Sequence, residues 1–431
     1  MMQSLRAIPA TILPKKTINI RLAIVCLASA AVGLSMALIS IAKLLLLICG
    51  IAALLFWRRT PAADRPLAGL YTPIAVLVAL FAFAISMLWT VAPPDDALGS
   101  LAKYGKLILI VLMMILIRDR REALYALGAF VLTQVFLVAS SWMLFFHLPV
   151  PWATSNMALN EYAVFSSYLD QGIMAAVLGA VCWHLRDLVP GRFGRHVAIF
   201  VAVIALFNVL FVLGGRSGHV VAIALLSIAI MWELPRKYRA GVVLLPFLLV
   251  LLLFFSSTKV RERLTMVKTE VESYAAHTQT RTSSGIRLGL WLSAVQIIGQ
   301  HPLAGAGIGS WSTEYNRIQR SENPAHKDIP GNGNPHQEYL QWGVQLGIPG
   351  LVLLAALMLS VLRDSLKMEQ PYARAAQSAL VALAVACLFN SIIYDALIGD
   401  FFCILTGLLL ALGLSPAAGP VIAAHPREPT T

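Results

Sequence analysis

Long apolar runs separated by short polar connections dominate the chain from about residue 22 to residue 415. A helix needs about 20 mainly apolar residues to cross the hydrocarbon core of a bilayer, and about twelve runs meet that measure. The first two form a tight pair over about 22–57, with Ser40 and Lys43 near the bend. Others follow at about 68–90, 102–117, 123–146, 170–185, 197–213, 219–234 and 240–256. The last three lie at about 339–362, 375–391 and 400–415. The pattern predicts an all-α polytopic membrane protein in four parts. Residues 1–256 carry helices one to nine with short loops, and 257–338 form one long loop. Residues 339–416 carry helices ten to twelve, and 417–431 form a disordered tail.

Composition agrees with the pattern. Of 431 residues 58% are hydrophobic and only 13% charged, where a soluble domain has about a quarter charged. The net charge of +12 raises the question of nucleic acid. The basic residues, however, sit in short clusters between apolar runs and form no aromatic-interleaved face, so no nucleic-acid partner is expected. Cys26, Cys49, Cys182, Cys387 and Cys403 lie in or beside apolar runs, without metal-knuckle or disulfide spacing. Lys15, Lys16 and Arg21 precede the first run with no small-residue cleavage site, which predicts a retained first span.

The charge clusters set an orientation. Arg58, Arg59 and Arg65 follow helix two, Arg118, Arg120 and Arg121 follow helix four, and Arg186, Arg192 and Arg195 follow helix six. Arg236, Lys237 and Arg239 follow helix eight, and Arg363, Lys367 and Arg374 follow helix ten. Every second loop is basic, which places those loops and both termini in the cytoplasm. The outward loops are "TVAPPDDALGS", "HLPVPWATSNMALNEYAVFSSYLDQG", the tight "GGRSGH" and the long 257–338. Loops of that last length are usually functional when they occur in compact folds. Within it, "SSGIRLGLWLSAVQIIGQ" begins with serines suited to capping and then repeats at helical spacing. The stretch "HPLAGAGIGS" is rich in helix breakers.

Polar groups at membrane depth are costly, so each is a candidate site. Arg216 stands between glycines and apolar runs on the outward side, where a guanidinium fork suits phosphate oxygens. An interfacial arginine reaching for lipid headgroups is the alternative. Arg287 lies four residues before Trp291, on one helical face, with Arg281, Arg317 and Arg320 elsewhere in the loop. A solvated basic face would look the same. His336 follows Asn334 and Pro335, a helix-entry signal, and precedes Gln337 and Glu338 in the first turn. An imidazole there can take a proton from a hydroxyl, with its neighbours orienting ring or substrate. Asp95, Asp96, Glu161, Asp170, Asp395 and Asp400 are further candidates, and "NSIIYDALIGD" sets Asp395 and Asp400 in an outward loop that can line a cavity. Nothing has the spacing of a metal cluster, and no metal or cofactor is expected.

Taken together, "GGRSG", Arg287 with Trp291, "HPLAGAGIGSW" and "NPHQEYLQWGVQLGIPG" resemble the O-antigen ligase and polymerase superfamily of bacterial inner membranes. The resemblance covers mainly about 200–350. Gln337 departs from the asparagine common in the family. The resemblance implies a C-type glycosyltransferase fold with a periplasmic active site under the long, catalytic loop. It implies a glycan donor on undecaprenyl pyrophosphate and, for a ligase, a lipid A–core sugar as acceptor, with inversion. Arg216 and Arg287 would then hold the pyrophosphate and His336 the acceptor hydroxyl, with Asn334, Gln337, Glu338, Trp291 and Asp395 lining the substrates. An O-antigen polymerase or a protein O-oligosaccharyltransferase shares the donor. An anion transporter would need broken or charged helices at the bilayer midplane, which the pattern lacks.

Overall fold

The computed structural model describes residues 15–57, 67, 69–246, 248, 251, 255, 283–322 and 333–415. Among them the ordered elements are all helical. They are α1 (Lys15–Ala31), α2 (Met36–Trp57), α3 (Thr72–Ile85), α4 (Pro94–Tyr104), α5 (Ile108–Leu116), α6 (Arg120–Phe145), the short α7 (Ala158–Glu161) and α8 (Tyr168–Leu185). Then come α9 (Gly191–Phe207), α10 (Arg216–Glu233), α11 (Ser283–Gln300), α12 (Trp311–Glu322), α13 (Glu338–Leu346), α14 (Ile348–Ser365), α15 (Gln370–Ala386) and α16 (Ala396–Leu414).

Seven described helices are long and apolar enough to cross a membrane, where the hydropathy pattern predicted about twelve. The shortfall has physical causes. The segments Ile20–Ala31 and Thr72–Leu88 are apolar but short. The helix α8 carries Asp170, Gln171 and His184, yet almost every residue from Gln171 to Leu185 is buried. A helix enclosed by other helices need not be apolar enough for lipid. The predicted ninth span, Arg281 and the tail lie largely or wholly outside the described residues, as does 323–332 of the long loop.

The core is built around α16, whose residues from Ile398 to Gly413 are buried against α5, α6 and α15. A second packing unit joins α8 to α9, α10 and α15. The outer faces are apolar instead: Leu44, Ile48, Ile51 and Leu55 on α2 and Phe200, Val203 and Phe207 on α9 are exposed. That inside-out arrangement belongs to a helix bundle solvated by lipid. Two ion pairs lie within the bundle, Arg21 with Glu122 and Lys43 with Asp400.

Four sequence expectations are corrected here. The stretch "TVAPPDDALGS" is largely helix, because Pro94 and the acidic pair Asp95–Asp96 form a favourable first turn for α4. Ser40 and Lys43 lie inside α2, and the bend falls earlier, at Gly33. Asp400 does not line an outward loop but is fully buried in α16, 2.6 Å from the Lys43 ammonium. Helix ten is two helices: Gly347, at φ 71°, separates α13 from α14, and a Cβ there would sit 2.5 Å from the Pro302 carbonyl oxygen.

Candidate active site

The glycine-rich "HPLAGAGIGS" packs against the C-terminal end of α13. Gly305, Gly307 and Gly309 all have left-handed backbone, and a Cβ on Gly307 would sit 2.3 Å from Thr90 Cα. With no Cβ at these glycines, the turn lies between two elements. On one side Val91 N–H donates to Ala306 O (3.1 Å) and Thr90 Oγ1 to Ile308 O (2.6 Å). On the other, Ala306 N–H donates to Val344 O (2.8 Å) and Gly307 N–H to Gln345 O (3.1 Å). Ile348 N–H also reaches Pro302 O at 2.8 Å. The C-terminal ends of α11 and α13 are thereby joined, and the two helices pack against each other.

At the other end of α13 stands the polar cluster. Glu338 is fully buried, with Oε2 accepting from the Ile393 and Tyr394 N–H groups (2.8 and 3.2 Å) and Oε1 from Trp342 Nε1 (2.8 Å) and the Tyr104 hydroxyl (3.4 Å). Phe83, Tyr104, Trp342 and Tyr394 surround it, with Phe83 and Tyr104 stacked at 4.0 Å. Burial pushes its carboxyl up to about 7, against the pull of those donors. Glu338 therefore staples the α15–α16 linker to the start of α13, beneath the surface. Gln337 caps α13, its Oε1 accepting from Leu340 N–H at 2.6 Å.

His336 is exposed and left-handed, at φ 54°, in a turn closed by its N–H donating to Asn334 Oδ1 (2.8 Å). Its Nδ1 lies 3.1 Å from Asn390 Oδ1, while Asn390 Nδ2 donates to Asp395 Oδ2 at 3.0 Å. The amide group of Asn390 faces a carboxylate, so its carbonyl faces the histidine, and Nδ1 must supply the hydrogen. In the neutral ring this tautomer leaves Nε2 without a hydrogen and able to accept a proton. Asn334 Nδ2 adds a 3.5 Å contact to Asp395 Oδ1. Burial raises the Asp395 carboxyl, and the charges of His336, Lys106 and Lys103 draw it back. Lys103 itself is exposed, 4.1 Å over the Tyr394 ring.

Of the sequence candidates, His336, Asn334 and Asp395 are brought together directly. Arg216 opens α10 beside the start of α8, where Gly215 packs on Tyr168 and Leu169; the charge of Asp170 there interacts with that of Asp395. Arg287, half-buried, lies in the early turns of α11. Trp291 packs with Leu290, Ala294, Ile297 and Trp311 in an apolar cluster. Asn390 and Lys103 lie at the ends of predicted apolar spans and had no sequence signal, since only the fold sets them beside Asp395.

Residues 200–355 match a family model for O-antigen ligases. The match, to the family model Wzy_C described as O-Antigen ligase, contains Arg216, Arg287 and His336 and ends before Asn390 and Asp395. It supports the O-antigen ligase/polymerase superfamily, whose members are glycosyltransferase-like membrane enzymes. No curated protein matches the chain. The linker that holds Asn390 against His336 therefore comes from outside the matched segment, fastened by the Glu338 staple.

Proposed function

We propose that the chain is an O-antigen ligase of a bacterial inner membrane, with its site facing the periplasm and both termini in the cytoplasm. It transfers a glycan from undecaprenyl pyrophosphate to a hydroxyl of a lipid A–core sugar. The observation that carries this reading is the Asp395–Asn390–His336 chain, which leaves Nε2 open at an exposed position within the O-antigen ligase segment. Nε2 takes the proton of the acceptor hydroxyl as its oxygen forms a bond to the anomeric carbon. The bond from that carbon to the pyrophosphate breaks on the opposite face, giving inversion, and the electron pair leaves with the lipid pyrophosphate. Arg216 and Arg287 hold that growing negative charge, so that neither metal nor nucleotide is needed. A base so placed contributes about 10²–10⁴-fold. Because both substrates are lipid-borne, they reach the site from the bilayer.

The test is transfer by the purified full chain, supplied with lipid-pyrophosphate glycan and separate acceptors. Glycosylated lipid A–core in excess EDTA is expected, with the product lost in His336→Ala while donor binding persists. Arg216→Ala and Arg287→Ala should weaken donor use. Lengthened donor glycan or a glycosylated protein, without lipid A–core product, would refute the ligase in favour of a polymerase or a protein O-oligosaccharyltransferase.

A further inference from the structure

At the end of the bundle opposite His336, a recess of about 360 Å³ opens between the C-terminal end of α10 and the N-terminal end of α15. The helix α15 separates the two ends by roughly 25 Å, at about 1.5 Å per residue. Arg239, Arg374, Gln370 and Gln377 form the polar wall, and Leu366 and Met368 the apolar one.

The counter-ions are the telling feature. Around this end of the bundle cations reach carboxylates: Arg120 pairs with Glu369, Arg186 with Glu233 and Lys367 with Asp364, each at 2.9 Å. The two guanidiniums of the recess do not. Arg239 donates through Nε to Leu234 O (3.2 Å), and Arg374 donates to Trp232 O (3.5 Å) with its guanidinium 5.8 Å from the Trp232 ring. Neither is ion-paired to a carboxylate among the described residues. Both are half-buried, where a charge without a counter-ion is costly. Planar forks with spare N–H donors suit phosphate oxygens, and side-chain amides add donors of the same kind.

We propose that this recess binds the phosphate of an anionic phospholipid headgroup. The apolar wall favours a lipid-borne phosphate over a free one, since Leu366 and Met368 can contact glycerol and acyl carbons. A basic pocket between membrane helices on the side with basic loops is where such headgroups bind. The site is separate from the glycan-transfer site and does not depend on its assignment.

Native mass spectrometry of the full chain, solubilised with a mixture of phosphatidylglycerol and phosphatidylcholine, tests it. Wild type is expected to retain phosphatidylglycerol selectively. The pair Arg239→Gln with Arg374→Gln should lower that retention at least about tenfold, as loss of charge-assisted contacts implies. Arg192→Gln, an exposed arginine outside the recess, should leave it unchanged, and the two Arg→Lys changes should restore part of it. If the double variant aggregates, each single Arg→Gln is read by the same ratio. Equal retention in the wild type and the glutamine variants overturns the proposal. So does displacement of the lipid by inorganic phosphate at comparable concentration, which marks a free-anion site.

Discussion

A histidine held in the left-handed backbone region costs of order 1–3 kcal/mol, and the cost is tolerated where ring placement matters. Here the turn closed by Asn334 presents the ring of His336 to Asn390, and Asn390 relays the charge of Asp395. Asn390→Ala is expected to lower kcat by about tenfold or more with acceptor KM little changed, since the base is misoriented rather than removed. A fall in KM affinity alone would show that Asn390 contacts substrate instead. Asp395 accepts from Asn390 most strongly as the anion, and burial raises its carboxyl above the ordinary value of about 3.9. Activity should thus fail on acidification earlier than for an exposed aspartate, and Asp395→Asn should abolish that acidic limb of the rate profile. Glu338 has the opposite consequence for stability. Its folded value, about 7, lies above the ordinary 4.5, so its contribution is complete below 4.5 and is lost as pH rises through about 7. Melting temperature in detergent should decline over that window. Glu338→Gln should flatten the decline, whereas Glu338→Ala leaves four donors without an acceptor, at about 1–3 kcal/mol for each group left unsatisfied.

At the scale of elements, the breaker-rich turn after α11 is a clamp. It joins the α3–α4 connection to the C-terminal end of α13, and its glycines are demanded by backbone contact on both sides. Gly307→Ala places a methyl group 2.3 Å from Thr90 Cα in a left-handed backbone, and a loss of several kcal/mol, read as a fall in melting temperature and yield, is expected. Gly99→Ala in α4, where a Cβ meets nothing within 4 Å, should be neutral or slightly stabilising. Helix α11 was legible from its serines and apolar spacing and spans Ser283–Gln300, the stretch the pattern marks. The division of helix ten was not. Gly347 and Pro349 stand in a mainly apolar run, and hydropathy carries no information on backbone φ.

For the whole molecule, the alternation of basic loops predicts two sides, and the fold agrees in placing Arg216, His336 and Asp395 at helix ends away from Arg186, Arg239 and Arg374. Single cysteines in a cysteine-free background test the orientation. Leu159→Cys in α7 should react with a membrane-impermeant maleimide in intact inner-membrane spheroplasts, and Phe193→Cys at the start of α9 only after permeabilisation; both positions are 83% exposed. The reverse labelling would invert the topology. The sequence by itself determined the membrane setting, most helix positions and the polar residues at helix ends, because burial in lipid imposes a periodic, composition-level signature. It also carried the motifs that resemble the O-antigen ligase superfamily. Only the tertiary structure decided which of those polar residues meet. Asn390 and Asp395 join His336 because α13 and the α15–α16 linker share the buried carboxylate of Glu338, and contacts between residues 54 to 56 positions apart leave no periodic trace in a single chain.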